Sequence, residues 1–173
     1  MELLDTMLKR KSIRQYTDEK ISKEDINIIL QAGLLAPSSR NIRPCEFIVV
    51  EKKETLEKLS QCKTFGSKML KDASHAIVVL GNKNKSDVWI EDCSIVMTYM
   101  HLMATSLNIG SCWVQCRLRN NGEMTTEDYI KDLLSIPDSY CVEAILCLGI
   151  SANEITSHLS NELDLSKIHN ETF

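Results

Sequence analysis

The chain has 173 residues, 43% hydrophobic and 25% charged, with a formal net charge of −4 and a pI near 5.6. That length suits one domain, residues 1–173, with a sizeable core, and the acidic balance argues against nucleic acid as the principal partner. The uncharged stretch 93–107 spans fifteen residues, fewer than the roughly 20 needed to cross a bilayer, so no membrane partner is expected.

Leu3, Leu4, Met7 and Leu8 fall on one face of a first helix that ends near Arg10. Such an amphipathic start differs from the basic-then-apolar pattern of a secretory signal. Ser22, with Asp25 three residues on, predicts a helix start. An apolar stripe follows at Ile26, Ile29, Leu30 and Leu34, and Pro37 stops the helix. Residues 47–50 and 75–80 read as buried strands, with a helical stretch over 54–70, broken near Phe65 and Gly66, between them. Residues 88–107 predict the longest helix. Its second half, 95–104, is apolar nearly all round and must be covered on every side, for which a second subunit is a natural device. Residues 111–116 read as a strand, Thr125 and Asp128 open a helix through Leu134, and 141–148 form a last buried strand. Strands alternating with helices give an α+β or α/β sandwich. After Gly149 there is no core pattern, so Leu163, Leu165, Ile168 and Phe173 must pack on something else.

Seven cysteines show no CxxC pair and no zinc-finger spacing, which predicts free thiols in a reducing cytoplasm and no metal site. All six arginines fall in two segments, 10–43 and 117–119, whereas lysine is spread along the chain. Confining the fork-shaped cation in this way marks a site. Arg10, Ser12 and Arg14 alternate, so an extended backbone would aim all three at one face and turn Lys11 away. Two guanidinium forks and a hydroxyl suit a phosphate. The run Ala36-Pro-Ser-Ser-Arg-Asn-Ile-Arg-Pro-Cys-Glu-Phe47 sets polar donors between two prolines. It reads either as a helix stop with a turn or as a rigid loop against a flat, polar-edged ligand. Neither GxGxxG nor GxxxxGK[ST] occurs, so a Rossmann nicotinamide site and nucleotide-triphosphate chemistry are unsupported.

Arg10-x-Ser12-x-Arg14 followed by Pro37-Ser-Ser-x-Asn41-x-Arg-Pro44 resembles the FMN-dependent nitroreductase family in its short, single-domain form. The resemblance continues through Ser86-Asp-Val-Trp-Ile-Glu-Asp92, Leu107-Asn-Ile-Gly-Ser-Cys-Trp-Val-Gln-Cys-Arg117 and Asp164-Leu-Ser-Lys-Ile-His-Asn-Glu-Thr-Phe173. It implies a three-layer α+β sandwich, a central mostly antiparallel sheet flanked by helices, in an intertwined homodimer. It also implies that Arg10, Ser12 and Arg14 hold the phosphate, ribityl chain and pyrimidine edge of FMN. Pro37, Ser38, Ser39 and Asn41 would lie against the isoalloxazine ring from the other subunit, Asn41 offering both a donor and an acceptor. Trp113, Val114 and Gln115 would pass the dimethylbenzene side and central ring, with a backbone N–H near Gln115 directed at N5, where it stabilises charge on reduction. Trp113 also suits an ordinary core, and Arg117 either adds to the phosphate cations or sits on the surface.

The implied activity is ping-pong: hydride from NAD(P)H reaches flavin N5, and a nitroaromatic, quinone or similar small acceptor then takes the electrons. The flavin carries the chemistry, so no catalytic side chain is expected. A non-catalytic flavin-binding or redox-sensing protein stays open, as do dehalogenation and flavin breakdown on the same fold. One departure stands out. Many family members grip the phosphate with a Lys/Arg pair near the carboxyl terminus, but residues 151–166 hold no cation other than His158, and Lys167 and His169 come later. Lys68 matches a family lysine near the N1/O2 edge only after a shift in alignment.

Overall fold

Strands β1 (Cys45–Val50), β2 (His75–Asn82), β3 (Gly110–Gln115) and β4 (Tyr140–Gly149) form one antiparallel sheet in the order β1-β2-β4-β3. The structure, a computed structural model, describes residues 2–159 and 162–173. The central strands β2 and β4 are near-continuous apolar runs, as strands covered on both faces must be. Helices α2 (Lys23–Leu35) and α4 (Trp89–Ser106) cover one face, packing Ile29, Met97 and Met100 on Ile77, Leu146 and Leu148. Helices α3 (Lys53–Leu59) and α5 (Thr126–Leu134), with a 3-10 turn at Lys68–Asp72, cover the other through Leu56, Leu59, Leu70 and Ile130. This is the three-layer α+β sandwich with an antiparallel sheet that the resemblance implied. No helix among the described residues is long and apolar enough to cross a membrane.

The two hydroxyl caps form as read. Ser22 Oγ accepts from Asp25 N–H at 3.0 Å, and Thr125 Oγ1 accepts from Asp128 N–H at 3.0 Å. The stretch 54–70 differs from its reading, because α3 ends at Leu59. Ser60 Oγ–H donates back to the Glu57 carbonyl, Ser67 Oγ–H donates to the Ser60 carbonyl at 2.8 Å, and Gly66 takes a φ of +79°. These bonds close a turn that a continuous helix would break. Leu34 also leaves its predicted stripe, 59% exposed at the end of α2.

Helix α4 is not covered on every side within one chain. Ile95 is 37% and Tyr99 42% exposed, and the apolar face of α1 (Glu2–Lys9) is open too at Leu3, Leu4 and Met7. After β4 the chain turns back along its own amino terminus: Ala152 N–H donates to the Gln15 carbonyl, Lys11 Nζ to Thr156 Oγ1 and His158 N–H to the Leu8 carbonyl. Beyond that, Leu163, Leu165, Ile168 and Phe173 lie exposed.

Gly149 ends β4 against the ring of Tyr16, and a Cβ there would sit 2.5 Å from Tyr16 Cγ and Cδ1. That ring is pinned, since its hydroxyl donates to the Ile13 carbonyl at 2.6 Å. Gly149→Ala is therefore expected to cost about 2 kcal/mol by overpacking. Thermal unfolding should register it as a Tm lower by roughly 5 °C.

Candidate functional site

Helix α1 closes with Arg10 N–H donating to the Thr6 carbonyl, and the chain then runs extended along the outer edge of β3. Ser12 bridges Ser111 in parallel, and Ile13 N–H donates to the Ser111 carbonyl at 2.9 Å. Arg10 is half-buried, whereas Ser12 and Arg14 are exposed. Arg14 folds back so that its guanidinium donates to the Ser12 carbonyl at 3.3 Å. Lys11 turns toward Thr156 of the returning tail, away from the face its neighbours form.

Beneath this segment, Arg10 Nη1 lies 3.3 Å from Nε2 of His101 on α4, and His101 Nδ1 lies 2.5 Å from Ser111 Oγ. Burial, reinforced by the Arg10 cation, pushes the His101 ring down to about 4. Unfolded, it protonates near 6.5, so between 6.5 and 4 the unfolded chain binds more protons and stability falls as pH falls. The loss approaches about 3 kcal/mol by the acid end of that window. Urea denaturation at pH 7 and at pH 4.5 should show a smaller acid loss for His101→Gln than for the parent.

Strand β3 is the other half of this face. The Ser111 carbonyl accepts from Ile13, and the Gln115 carbonyl accepts from Lys63 Nζ at 3.1 Å, so both residues direct their backbone away from β4. Alternation puts the Trp113 and Gln115 N–H groups on that outer edge. Trp113 Nε1–H donates to Gln115 Oε1 at 2.8 Å, and Gln115 Nε2 donates to the Arg117 carbonyl at 3.2 Å, which fixes both side chains. Val114 is wholly buried in the opposite core, so neither its side chain nor its backbone reaches the outer edge.

Arg117 lies six residues beyond Ser111, about 20 Å away along an extended chain, and so is not brought together with Arg10. It stands instead by Glu143, whose carbonyl accepts its N–H. Glu143 is the extra residue where β4 slips its register against Val79 and Leu80. It is 3% exposed and its Oε2 has no hydrogen-bond partner among the described residues. Burial raises its carboxyl above the ordinary range, against the pull of the Arg117 cation.

The serine loop lies elsewhere. Pro37 and Asn41 are exposed, Ser38 and Ser39 half-buried. Ser38 Oγ accepts from Arg43 N–H at 2.9 Å, and Ser39 N–H donates to Asp92 Oδ1 at 2.8 Å. Asp92, buried in the first turn of α4, also accepts from Ser86 Oγ–H at 3.1 Å. Arg40 pairs with Asp87, and Arg43 Nε donates to Asn41 Oδ1 at 2.9 Å, so the Asn41 acceptor is used inside the loop and its amide N–H₂ is left. Arg40, Asn41 and Arg43 have φ of 51°, 54° and 50°, a left-handed strain of the kind found at binding loops.

The loop and the arginine face flank opposite edges of the sheet, β1 and β3, about 14 Å apart at three strand spacings. Their anchors on α4, Asp92 and His101, are nine residues apart, again about 14 Å. One chain thus carries the two segments on opposite edges of its sheet.

Lys63, His101 and Asp92 escaped the sequence reading. Lys68 is exposed, and it is Lys63, five residues earlier, that meets β3. His101 was a lone His in the apolar half of α4, and Asp92 appeared only as the last residue of the 86–92 motif, with no role attached to it. Cys45 and Cys93 bring their sulfurs to 3.4 Å, all seven thiols are free, and no His/Cys/Asp/Glu group among the described residues could hold a metal.

The nitroreductase family profile matches residues 7–63 and 58–150. An FMN-dependent nitroreductase from Clostridium difficile R20291 superposes with a TM-score of 0.96 at 44% identity, covering 98% of this chain and 99% of that one. A nitroreductase family protein from Clostridium difficile 630 superposes at 0.83 with 31% identity, covering 98% of both. A protein of Archaeoglobus fulgidus, provisionally named an NADH dehydrogenase/NAD(P)H nitroreductase, is 38% identical over 98% of each chain.

Proposed function

The chain belongs to the nitroreductase family, and from that premise we propose that residues 1–173 form one FMN-binding domain of a cytoplasmic, homodimeric NAD(P)H-dependent oxidoreductase. The donor set suits that group. Arg10, Arg14 and the Ser12 hydroxyl would hold its phosphate end, and the outward Trp113 and Gln115 N–H groups with Lys63 would line its ring edge. The observation that carries the reading is the placement of the arginine face and the serine loop on opposite edges of one sheet, which suits a ligand held by the face of one copy and the loop of another. The 37–43 loop of that copy, held in its left-handed shape by Asp92, would cover the ring. Arg117 is left out of the phosphate set and Val114 out of the ring edge.

When bound, FMN would supply the redox chemistry, a two-electron transfer from NAD(P)H to a nitroaromatic, a quinone or a similar small acceptor by a ping-pong course. The chain's own residues bind the phosphate, orient the ring and exclude water from one of its faces. The fixed Gln115 N–H would stabilise charge at the ring edge without moving.

Purified protein should show a flavin visible spectrum, bleach with NADH or NADPH, and recover its colour with a quinone. Protein that stays colourless with added FMN contradicts the reading. Protein that binds FMN and bleaches without turning over an acceptor is the sensor instead of the enzyme.

A further inference from the structure

Three elements meet at His101: the end of α1 through Arg10, α4 itself, and β3 through Ser111. We infer that His101 is a positioning residue that holds the Arg10 guanidinium in the orientation a phosphate requires, an inference that rests on the FMN reading above. Arginine stays protonated in proteins and can only donate, so the His101 Nε2 facing it must be the unprotonated acceptor. The ring proton is then on Nδ1 and is donated to Ser111 Oγ. Ser111 is itself tied down, because its carbonyl accepts from Ile13 N–H beside Ser12. The cation and the hydroxyl of the phosphate face are therefore referred to one imidazole, Arg10 by its side chain and Ser12 through the backbone of Ser111.

A free arginine side chain samples many rotamers and loses that freedom on binding an oxyanion. Tying Nη1 to a ring that is 7% exposed removes much of the loss in advance and leaves the Nε and Nη2 edge for a bidentate pair. The arrangement matters more here because residues 151–166 offer no lysine or arginine to share the phosphate.

The test is a titration of flavin-stripped protein with FMN and with riboflavin, which lacks the phosphate, for the parent, His101→Leu and His101→Gln. His101→Leu should weaken FMN about tenfold or more, the worth of a hydrogen bond to a charged group, and leave riboflavin nearly unchanged. His101→Gln, whose side-chain oxygen can stand in for Nε2, should recover most of that loss. Equal weakening of both ligands, unaltered FMN affinity, or failure of glutamine to rescue would overturn the inference. A parent protein that binds neither ligand would refute the FMN reading, and nitrogen NMR of the flavin-free protein then decides the contact alone. The ring should carry its proton on Nδ1, with an Nε2 resonance that moves in Arg10→Ala. A ring protonated on Nε2 would sink the contact without any His101 variant having to fold.

Discussion

Arg10→Ala is expected to strip the protein of FMN while leaving the rate of refilled enzyme almost untouched. A charge-assisted hydrogen bond is worth about 1.5–3 kcal/mol, and a guanidinium supplies two to one phosphate. The loss in affinity should therefore be at least about a hundredfold, seen as colourless purified protein and a raised FMN dissociation constant. The guanidinium meets the His101 side of β3, at Ser111, whereas the outward N–H of Gln115 is four residues farther along the strand. NAD(P)H oxidation at saturating FMN should accordingly stay within about threefold of the parent, since positioning at the ring is unchanged. A severe rate loss at full occupancy would move Arg10 from the phosphate to the reacting end. The residual affinity also reports on Arg14, which is exposed and free to turn from the Ser12 carbonyl toward an anion.

Ile95→Glu is expected to be nearly as damaging, although Ile95 is placed at neither half-site. Ile95 and Tyr99 lie one turn apart on α4, beside an apolar groove lined by Leu3, Met7, Tyr99, Leu102 and Met103. In the proposed dimer this surface is covered, and a carboxylate buried there without a partner costs about 3 kcal/mol, roughly a hundredfold in dimer affinity. Light scattering should show a monomer at micromolar concentration. FMN affinity should fall with it, because the serine loop no longer reaches the arginine face. A far-UV spectrum like the parent's would separate this outcome from misfolding. A variant that is monomeric and still binds FMN tightly would place the whole site within one chain.

Much of this was legible in the sequence because it rests on local physics. The central strands declare themselves as runs too apolar to face water. Ser22 and Thr125 declare helix starts through a hydroxyl and a carboxylate three residues apart. The Arg10-Ser12-Arg14 alternation and the two prolines around the serine loop pointed to the segments that the structure sets at the sheet edges. What stayed hidden depends on partners far away in the chain. The 54–70 helix gave way because Ser67 reaches back to the Ser60 carbonyl, a bond worth nothing until the turn exists. Lys63 was missed because only the packed turn shows which lysine reaches Gln115, 52 residues on. Arg117 was open between a phosphate cation and a surface residue, and strand geometry carries it to the far end of β3, next to a buried carboxylate at a register slip. His101 was a single letter in the apolar half of α4 and Asp92 the last letter of a motif without a role, and their meaning lies in Arg10, 91 residues away, and in Ser39, 53 residues away.

The shared site can be tested by mixing two broken subunits. Arg10→Ala spoils the arginine face, and Asp92→Ala releases the Ser39 loop, so neither homodimer should retain FMN. Co-expressed with different tags and purified through both, the mixed dimer should hold one FMN, bound with parental affinity where the intact face of one copy meets the intact loop of the other. A mixed dimer as colourless as its two parents would show that face and loop serve the same chain and would contradict the account.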